Sequence, residues 1–207
     1  MKKYKTTTLV IAVYNEDISW LDKITNNDIE IVLINKGIHT QHSRAKCITI
    51  ENIGVCDNSF AYYISNYYDE LTDYIIFSQG YPFDHFEKMI DFINNKEYKN
   101  GYMPLADKTI HIPRGEGTTE FVENLLDYKF PGIDFPSGAQ YCVTKEILRN
   151  KPKYFWEDIY NLLPWKEDTF TAYFMERVWS LLYNTNIKIN PNYKQSSYFM
   201  LKQNLKN

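Results

Sequence analysis

Asp73-Tyr-Ile-Ile-Phe-Ser-Gln-Gly-Tyr-Pro-Phe-Asp-His85 is the stretch whose reading decides the fold. Tyr74 to Phe77 make a short apolar run, the mark of a fully buried strand, and it stops at polar, turn-forming residues. In an open α/β sheet, ligands gather where strands end and loops begin, so this strand end is the first place to look for a site.

Working outward, Thr8 to Tyr14, Ile29 to Ile34 and Cys47 to Ile53 read as three more buried strands, each closed by polar or glycine-bearing turns. Ile18, Leu21 and Ile24 recur at helical spacing, and Asn58 or Ser59 is placed to cap a helix with Phe60, Ile64, Tyr67, Tyr68 and Leu71 on one face. Asp84 with Glu87 three residues on forms a capping-box pattern before Met89, Ile90 and Ile93. This succession predicts an α/β fold, a mostly parallel sheet with helices on both faces. One domain is expected: residues 1–100 as a half built of βα units, 101–184 as a half that would bring a second substrate, and 185–207 as a polar C-terminal tail. In the second half, Tyr102 to Leu105 and Ala139 to Val143 read as short strands, and Ile187 to Ile189 as another. His111 to Gly117 and Phe130 to Gly138 read as loops, the former a candidate flap around Gly115 and Gly117. Thr119 to Tyr128, a short segment capped by Thr144, Phe155 to Leu163 and Asp168 to Tyr183 read as helices.

The chain of 207 residues carries a net charge of −3 with scattered Lys and Arg, which gives no footprint for nucleic acid. No stretch approaches the length of a membrane span. The apolar run near the N-terminus is too short for a signal peptide's core. Cys47, Cys56 and Cys142 are odd in number and contain no Cys-x-x-Cys, so neither a disulfide framework nor a zinc knuckle is indicated. A reducing, cytoplasmic setting is the expectation. Aromatic residues make 16% of the chain, with 18 Tyr, 12 Phe and 4 Trp. Flat apolar faces with hydrogen-bonding tips suit sugars and nucleobases; a compositional lean toward Tyr and Asn accounts for the same count.

Several strand ends carry chemistry-bearing residues. Tyr14-Asn15-Glu16-Asp17 puts a ring, an amide and two carboxylates after the first strand, where a nucleobase and ribose would find partners or a helix would find its cap. Lys36, after the second strand, is a cation in position to meet a diphosphate, although Asn35-Lys36-Gly37 also reads as plain turn chemistry. Asp84 beside His85 could ligate Mn²⁺ or Mg²⁺, but oxygen-rich sites usually need two carboxylates, and Asp84 has a rival role as cap. In the last helix, Phe170, Phe174, Val178 and Leu181 form the expected core face, with Ala172, Glu176, Trp179 and Tyr183 on another. Glu176 there is either a general base or a solvated carboxylate offset by Arg177 or Lys166. No phosphate-loop, nucleophile-elbow or dinucleotide fingerprint is present.

Asn15-Glu16-Asp17-x-x-Trp20, Asn35-Lys36-Gly37, Asn52-x-Gly54, Phe77-x-Gln79-Gly80-x-Pro82-Phe83-Asp84-His85, Gly138-Ala139-Gln140 and Glu176-x-x-Trp179, in this order over roughly residues 9 to 183, resemble a family catalogued as a domain of unknown function. One departure is visible: the family usually follows its Asn-x-Gly with Arg-Glu, where this chain has Val55, Cys56 and Asp57. That family is similar to GT-A nucleotide-sugar glycosyltransferases. Their Tyr-Asn-Glu strand end matches Tyr14, Asn15 and Glu16; their metal-binding Asp-x-Asp falls where this chain has Gln79-Gly80-Tyr81.

The resemblance implies transfer of a sugar from a UDP- or GDP-linked donor to a glycan or other hydroxyl acceptor. It implies Glu176 as base, and Tyr14, Asn15, Glu16, Asn35, Lys36 and Asp57 at the nucleotide. Gln79, Gly80 and Arg114 would lie at the diphosphate and sugar, His85, Gln140 and Trp179 at the acceptor, and Asp84 with His85 at any metal. The alternatives are a non-catalytic binding module of the same fold and a metal-dependent hydrolase.

Overall fold

The computed structural model describes residues 6–37, 41–114, 123, 126, 127, 129–162 and 169–190. Four parallel strands form as the apolar runs predict: β1 (Thr7–Val13), β2 (Ile29–Asn35), β3 (Ala45–Thr49) and β4 (Tyr74–Gln79). The following strands are β5 (Tyr102–Pro104), β6 (Thr109–Pro113), β7 (Gly132–Pro136) and β8 (Tyr141–Thr144). The helices are α1 (Val55–Asn66), α2 (Met89–Asn94), α3 (Lys145–Arg149), α4 (Lys153–Leu162) and α5 (Thr169–Leu182). The main sheet runs β3-β2-β1-β4-β8-β5, with β8 antiparallel to both its neighbours. From β1 the chain builds outward through β2 and β3, then returns to lay β4 on the other side. The gap between β1 and β4 is therefore a topological switch point.

Period-two alternation sorts the strands between two apolar layers. Leu9, Ile11 and Val13 face Trp20, Leu21, Met89 and Phe92. Val10, Ala12 and Phe77 face α1, α4 and α5, through Phe60, Trp156, Val178 and Trp179. Within that second layer, Phe77 and Tyr141 pack with ring centroids 5.0 Å apart, and Trp179 stacks on Tyr183 at 5.8 Å. Much of the chain's aromatic content is thus core.

Several elements differ from the sequence reading. β3 is shorter than Cys47 to Ile53 and half open, because it is the sheet edge. Ile18 to Ile24 makes only a 3-10 turn over Ser19–Lys23. α1 starts at Val55, not at Asn58 or Ser59, and those two polar residues are buried inside it. It ends at Asn66, and a 3-10 turn over Tyr68–Glu70 follows. Asp84 caps no helix: residues 83–85 form a turn and α2 opens at Met89 without a side-chain cap. Phe130 to Gly138 is not all loop, since β7 pairs antiparallel with β6 in a separate two-stranded sheet. Its prolines stand at strand ends, where a missing N–H is tolerated. Ile187 to Ile189 contributes one bridge, Leu126 to Ile189. Gly115, Gly117, most of Thr119 to Tyr128, Lys166, Asp168, the side chains of Phe170, Ala172 and Phe174, and the tail beyond 190 lie outside the described residues. No helix among the described residues is long and apolar enough to cross a membrane.

The strand ends are pressed together. Lys36 N–H donates to Val13 O at 2.8 Å, and a Cβ added to Gly37 would fall 1.5 Å from Tyr14 O. Backbone cannot yield as a flexible side chain can. The G37A variant is expected to be less stable by about 1–3 kcal/mol, read from the urea midpoint at constant slope.

Candidate functional site

The C-terminal ends of the parallel strands and the start of β8 form one rim. At the end of β1, Tyr14 is 49% exposed. The Glu16 side chain folds back beneath this turn, where Oε2 accepts the N–H of Tyr14 at 2.6 Å and of Asn15 at 3.1 Å. A Cβ on Gly80 would meet that same oxygen at 2.7 Å, so the missing side chain lets the end of β4 close on Glu16. The buried Trp20 indole N–H donates to Gly80 O at 2.8 Å and fixes the same turn from below. Asp17 is held by Ser19, whose backbone N–H and hydroxyl lower its carboxyl below the ordinary value. Asn35 is buried and its Oδ1 accepts the N–H of Gly37 at 3.0 Å.

On the far side of β4, one residue joins three elements through its N–H and its carbonyl. Gln79 Nε2–H donates to Gly138 O at 2.7 Å, and Gly138 N–H donates to Glu176 Oε1 at 2.5 Å. Gly138 has φ +90° and Ala139 has φ +51°, a sharp left-handed turn. The His85 ring fills the space above it; a Cβ on Gly138 would fall 2.3 Å from the imidazole Cγ. Gln140 is wholly buried, accepting from Ser78 Oγ and Gln79 N–H at 3.2 Å each and donating to Pro82 O at 3.1 Å.

The rim therefore gathers Tyr14, Asn15, Glu16, Gln79, Gly80, His85 and Glu176, while Asn35, at the end of β2, is 3% exposed with its amide oxygen on the Gly37 N–H. Other expectations are corrected by burial or by prior engagement. Lys36 is 8% exposed and its ammonium donates to the carbonyls of Ile53 and Val55. Those bonds bracket Gly54 and Val55, both at positive φ (62° and 46°), a strained conformation for a β-branched residue. Asp57 is 2% exposed, accepting the Trp179 indole N–H at 2.6 Å and, more distantly, the Cys56 thiol at 3.6 Å. Trp179, 1% exposed, offers no face to an acceptor. It and Tyr183 are buried, as is Val178 of the expected core face, while Leu181 is half-buried, so the core side of the helix includes Trp179 and Tyr183 from the face expected to lie off it. Gln140 has its amide fully committed within the fold. Arg114 pairs with Glu123 at 2.8 Å and donates to Phe130 O at 2.9 Å. Asp84 is exposed, and among the described residues no three His, Cys, Asp or Glu side chains gather as a metal-binding set.

No family model matches the chain, and no curated protein does. Among solved structures, it is similar to 4-diphosphocytidyl-2C-methyl-D-erythritol synthase from Anaerococcus prevotii. Identity is 12%, over 98% of this chain and 97% of that one, with a TM-score of 0.40. A likeness at this level carries no functional weight.

Sequence reasoning missed the role of the Gly138 peptide and the support given by Trp20, because both depend on pairings between residues about 60 apart or on a left-handed turn. Gly138-Ala139 carried the only local signal.

Below the rim, charge is confined. Burial raises the Asp57 carboxyl from its ordinary 3.8 to about 7, against the Trp179 hydrogen bond and with help from the Glu176 charge. Burial likewise lowers the Lys36 ammonium to about 8, partly offset by Cys56 and Asp57. Below the ordinary carboxyl value, Asp57 is protonated in the folded and the unfolded chain alike. As pH rises toward 7 the unfolded chain ionises it first, so the unfolded state gains and stability falls across that window. Asn at this position keeps an acceptor for the indole and does not titrate. D57N is therefore expected to gain stability relative to wild type between pH 4.5 and 7.5, by about 2–4 kcal/mol, measured as the difference of urea midpoints.

Proposed function

We propose that the protein is a GT-A-like glycosyltransferase, moving a sugar from a UDP- or GDP-linked donor to a hydroxyl group of a glycan or other acceptor, with inversion. The observation that carries this reading is that Tyr14, Gln79 and Glu176 stand along one edge of the sheet, at the ends of β1 and β4 and beside the start of β8. Tyr14 presents an open ring for a nucleobase, with Asn15 and Glu16 beside it for the ribose. The Gln79 amide stands where a diphosphate or sugar would lie, on a turn that Gly80 closes against Glu16. Glu176, with one oxygen tied to the Gly138 N–H, would take the acceptor's hydroxyl proton on the other. The acceptor oxygen then bonds to the anomeric carbon as the bond to the diphosphate breaks, and the nucleoside diphosphate leaves with the negative charge. His85, packed against the same glycine, borders the acceptor side.

The described donors do not fit a resident divalent ion, since no three His, Cys, Asp or Glu side chains gather as a metal-binding set among the described residues and the His85 ring is packed on Gly138. No step is routed through Mn²⁺ or Mg²⁺, and the hydrolase alternative gains no support. A second reading, a binding module without turnover, is favoured by one observation. Lys36 and Arg114, the cations expected to offset leaving-group charge, are both engaged elsewhere.

Calorimetry with UDP and GDP, with and without Mn²⁺, followed by a donor panel assayed for transfer and hydrolysis, separates the two readings. Glycosyltransfer by wild type that falls at least ~100-fold in E176Q, with nucleotide affinity kept, is the expected result. Unchanged turnover rules Glu176 out as base, and nucleotide binding without turnover supports the module.

A further inference from the structure

Among the described residues, the large apolar side chains left exposed are Tyr14, Val55, Tyr81, Ile110 and Tyr154. Three of them, Tyr14, Val55 and Tyr81, follow the ends of β1, β3 and β4 on the rim. A lone exposed tyrosine is ordinary, but apolar groups collected at the mouth of a polar site point to a bound ring.

Tyr81 is 47% exposed and yet firmly supported. Phe83 meets its ring edge-on at 5.1 Å and 76°, and Trp20 meets Phe83 edge-on at 5.7 Å and 82°. Trp20 is itself buried and hydrogen-bonded to Gly80 O, the residue just before Tyr81. Between the two rings Pro82 is buried, its carbonyl accepting from Gln140. A three-ring ladder rooted in the core thus holds an open aromatic face at the surface. Such a face is set in place before a ligand arrives, which removes much of the ordering cost of binding.

The position of Tyr81 says which ring it would serve. Tyr14 stands on β1, on the side toward Gly37. Tyr81 follows β4, which lies between β1 and β8 in the sheet, and the residues after it reach the β8 side, Pro82 O at Gln140 and His85 at Gly138. One face of a pyranose presents aliphatic C–H groups, weakly positive, which match the negative face of a phenol ring. We infer that Tyr81 is a stacking platform for the sugar of a sugar nucleotide and not for its base. This rests on the nucleotide-sugar reading above and adds a residue that discriminates the sugar-bearing ligand from the bare diphosphate.

The test is calorimetry of wild type, Y81A, Y81F and F83L with UDP-glucose against UDP and GDP-mannose against GDP, with thermal unfolding confirming that each variant is folded. For the pair that wild type binds, Y81A is expected to weaken the sugar nucleotide about tenfold and the diphosphate less than about twofold. Y81F should keep both affinities. F83L, which leaves the Tyr81 ring in place without its support, should lose part of the sugar-dependent affinity. Equal losses for sugar nucleotide and diphosphate in Y81A overturn the sugar assignment, and no loss overturns the platform. Wild type that binds no nucleotide at all overturns the underlying reading as well, which distinguishes the two failures.

Discussion

A single residue, Gly138, ties β4 and α5 together at the rim through the two backbone groups it carries. Gln79 at the end of β4 holds the carbonyl of Gly138, and Glu176 on α5 holds its N–H. Both partners are polar side chains at the border of the core, where an unmet backbone group would be costly. Satisfying both backbone groups of one residue therefore fixes two of the residues that define the candidate site. The same economy recurs at Gly80 and Gly37, where neighbouring turns meet because no Cβ stands between them. The rim is positioned by backbone contacts, and its side chains have little freedom left to choose their direction.

Charge beneath the rim is handled differently. Lys36 and Asp57 are nearly excluded from water, and burial shifts both toward their neutral forms. Neither reaches the surface that a ligand would touch. Lys36 braces the Gly54-Val55 turn through two carbonyls, and Asp57 ties α1 to α5 through the Trp179 indole. These two groups hold the elements that carry the rim, and the exposed chemistry is left to amides, carboxylates and rings.

The parallel strands were legible because buried apolar runs report themselves locally: Thr8 to Tyr14, Ile29 to Ile34 and Tyr74 to Phe77 all became strands. The ends of those runs also located Tyr14, Asn35 and Gln79 correctly on a common edge. What failed was whatever depended on partners distant in sequence. β7 carries Pro and Gly and reads as loop until β6 pairs with it. Asp57 and Lys36 look like surface polar residues, and only the packing of α1 against α5 shows that they are inside. Trp179 reads as lying off the core face because the periodicity does not reveal that the buried stripe of α5 is Met175, Val178, Trp179 and Leu182, rotated from the Phe170, Phe174, Val178 and Leu181 stripe. Aromatic content suggested ligand rings, yet Phe77, Tyr141, Trp179 and Tyr183 use theirs on one another.

The antiparallel course of β8 has one more effect. The parallel strands contribute to the rim as the chain leaves them, whereas β8 contributes as the chain arrives, through Gly138 and Gln140. The connection entering β8 is thus pinned in length and path, while the link from its far end into α3 runs along the opposite border of the sheet. Insertions and deletions accumulating over evolution should be sorted accordingly, purged from the segment ahead of this strand and accommodated behind it.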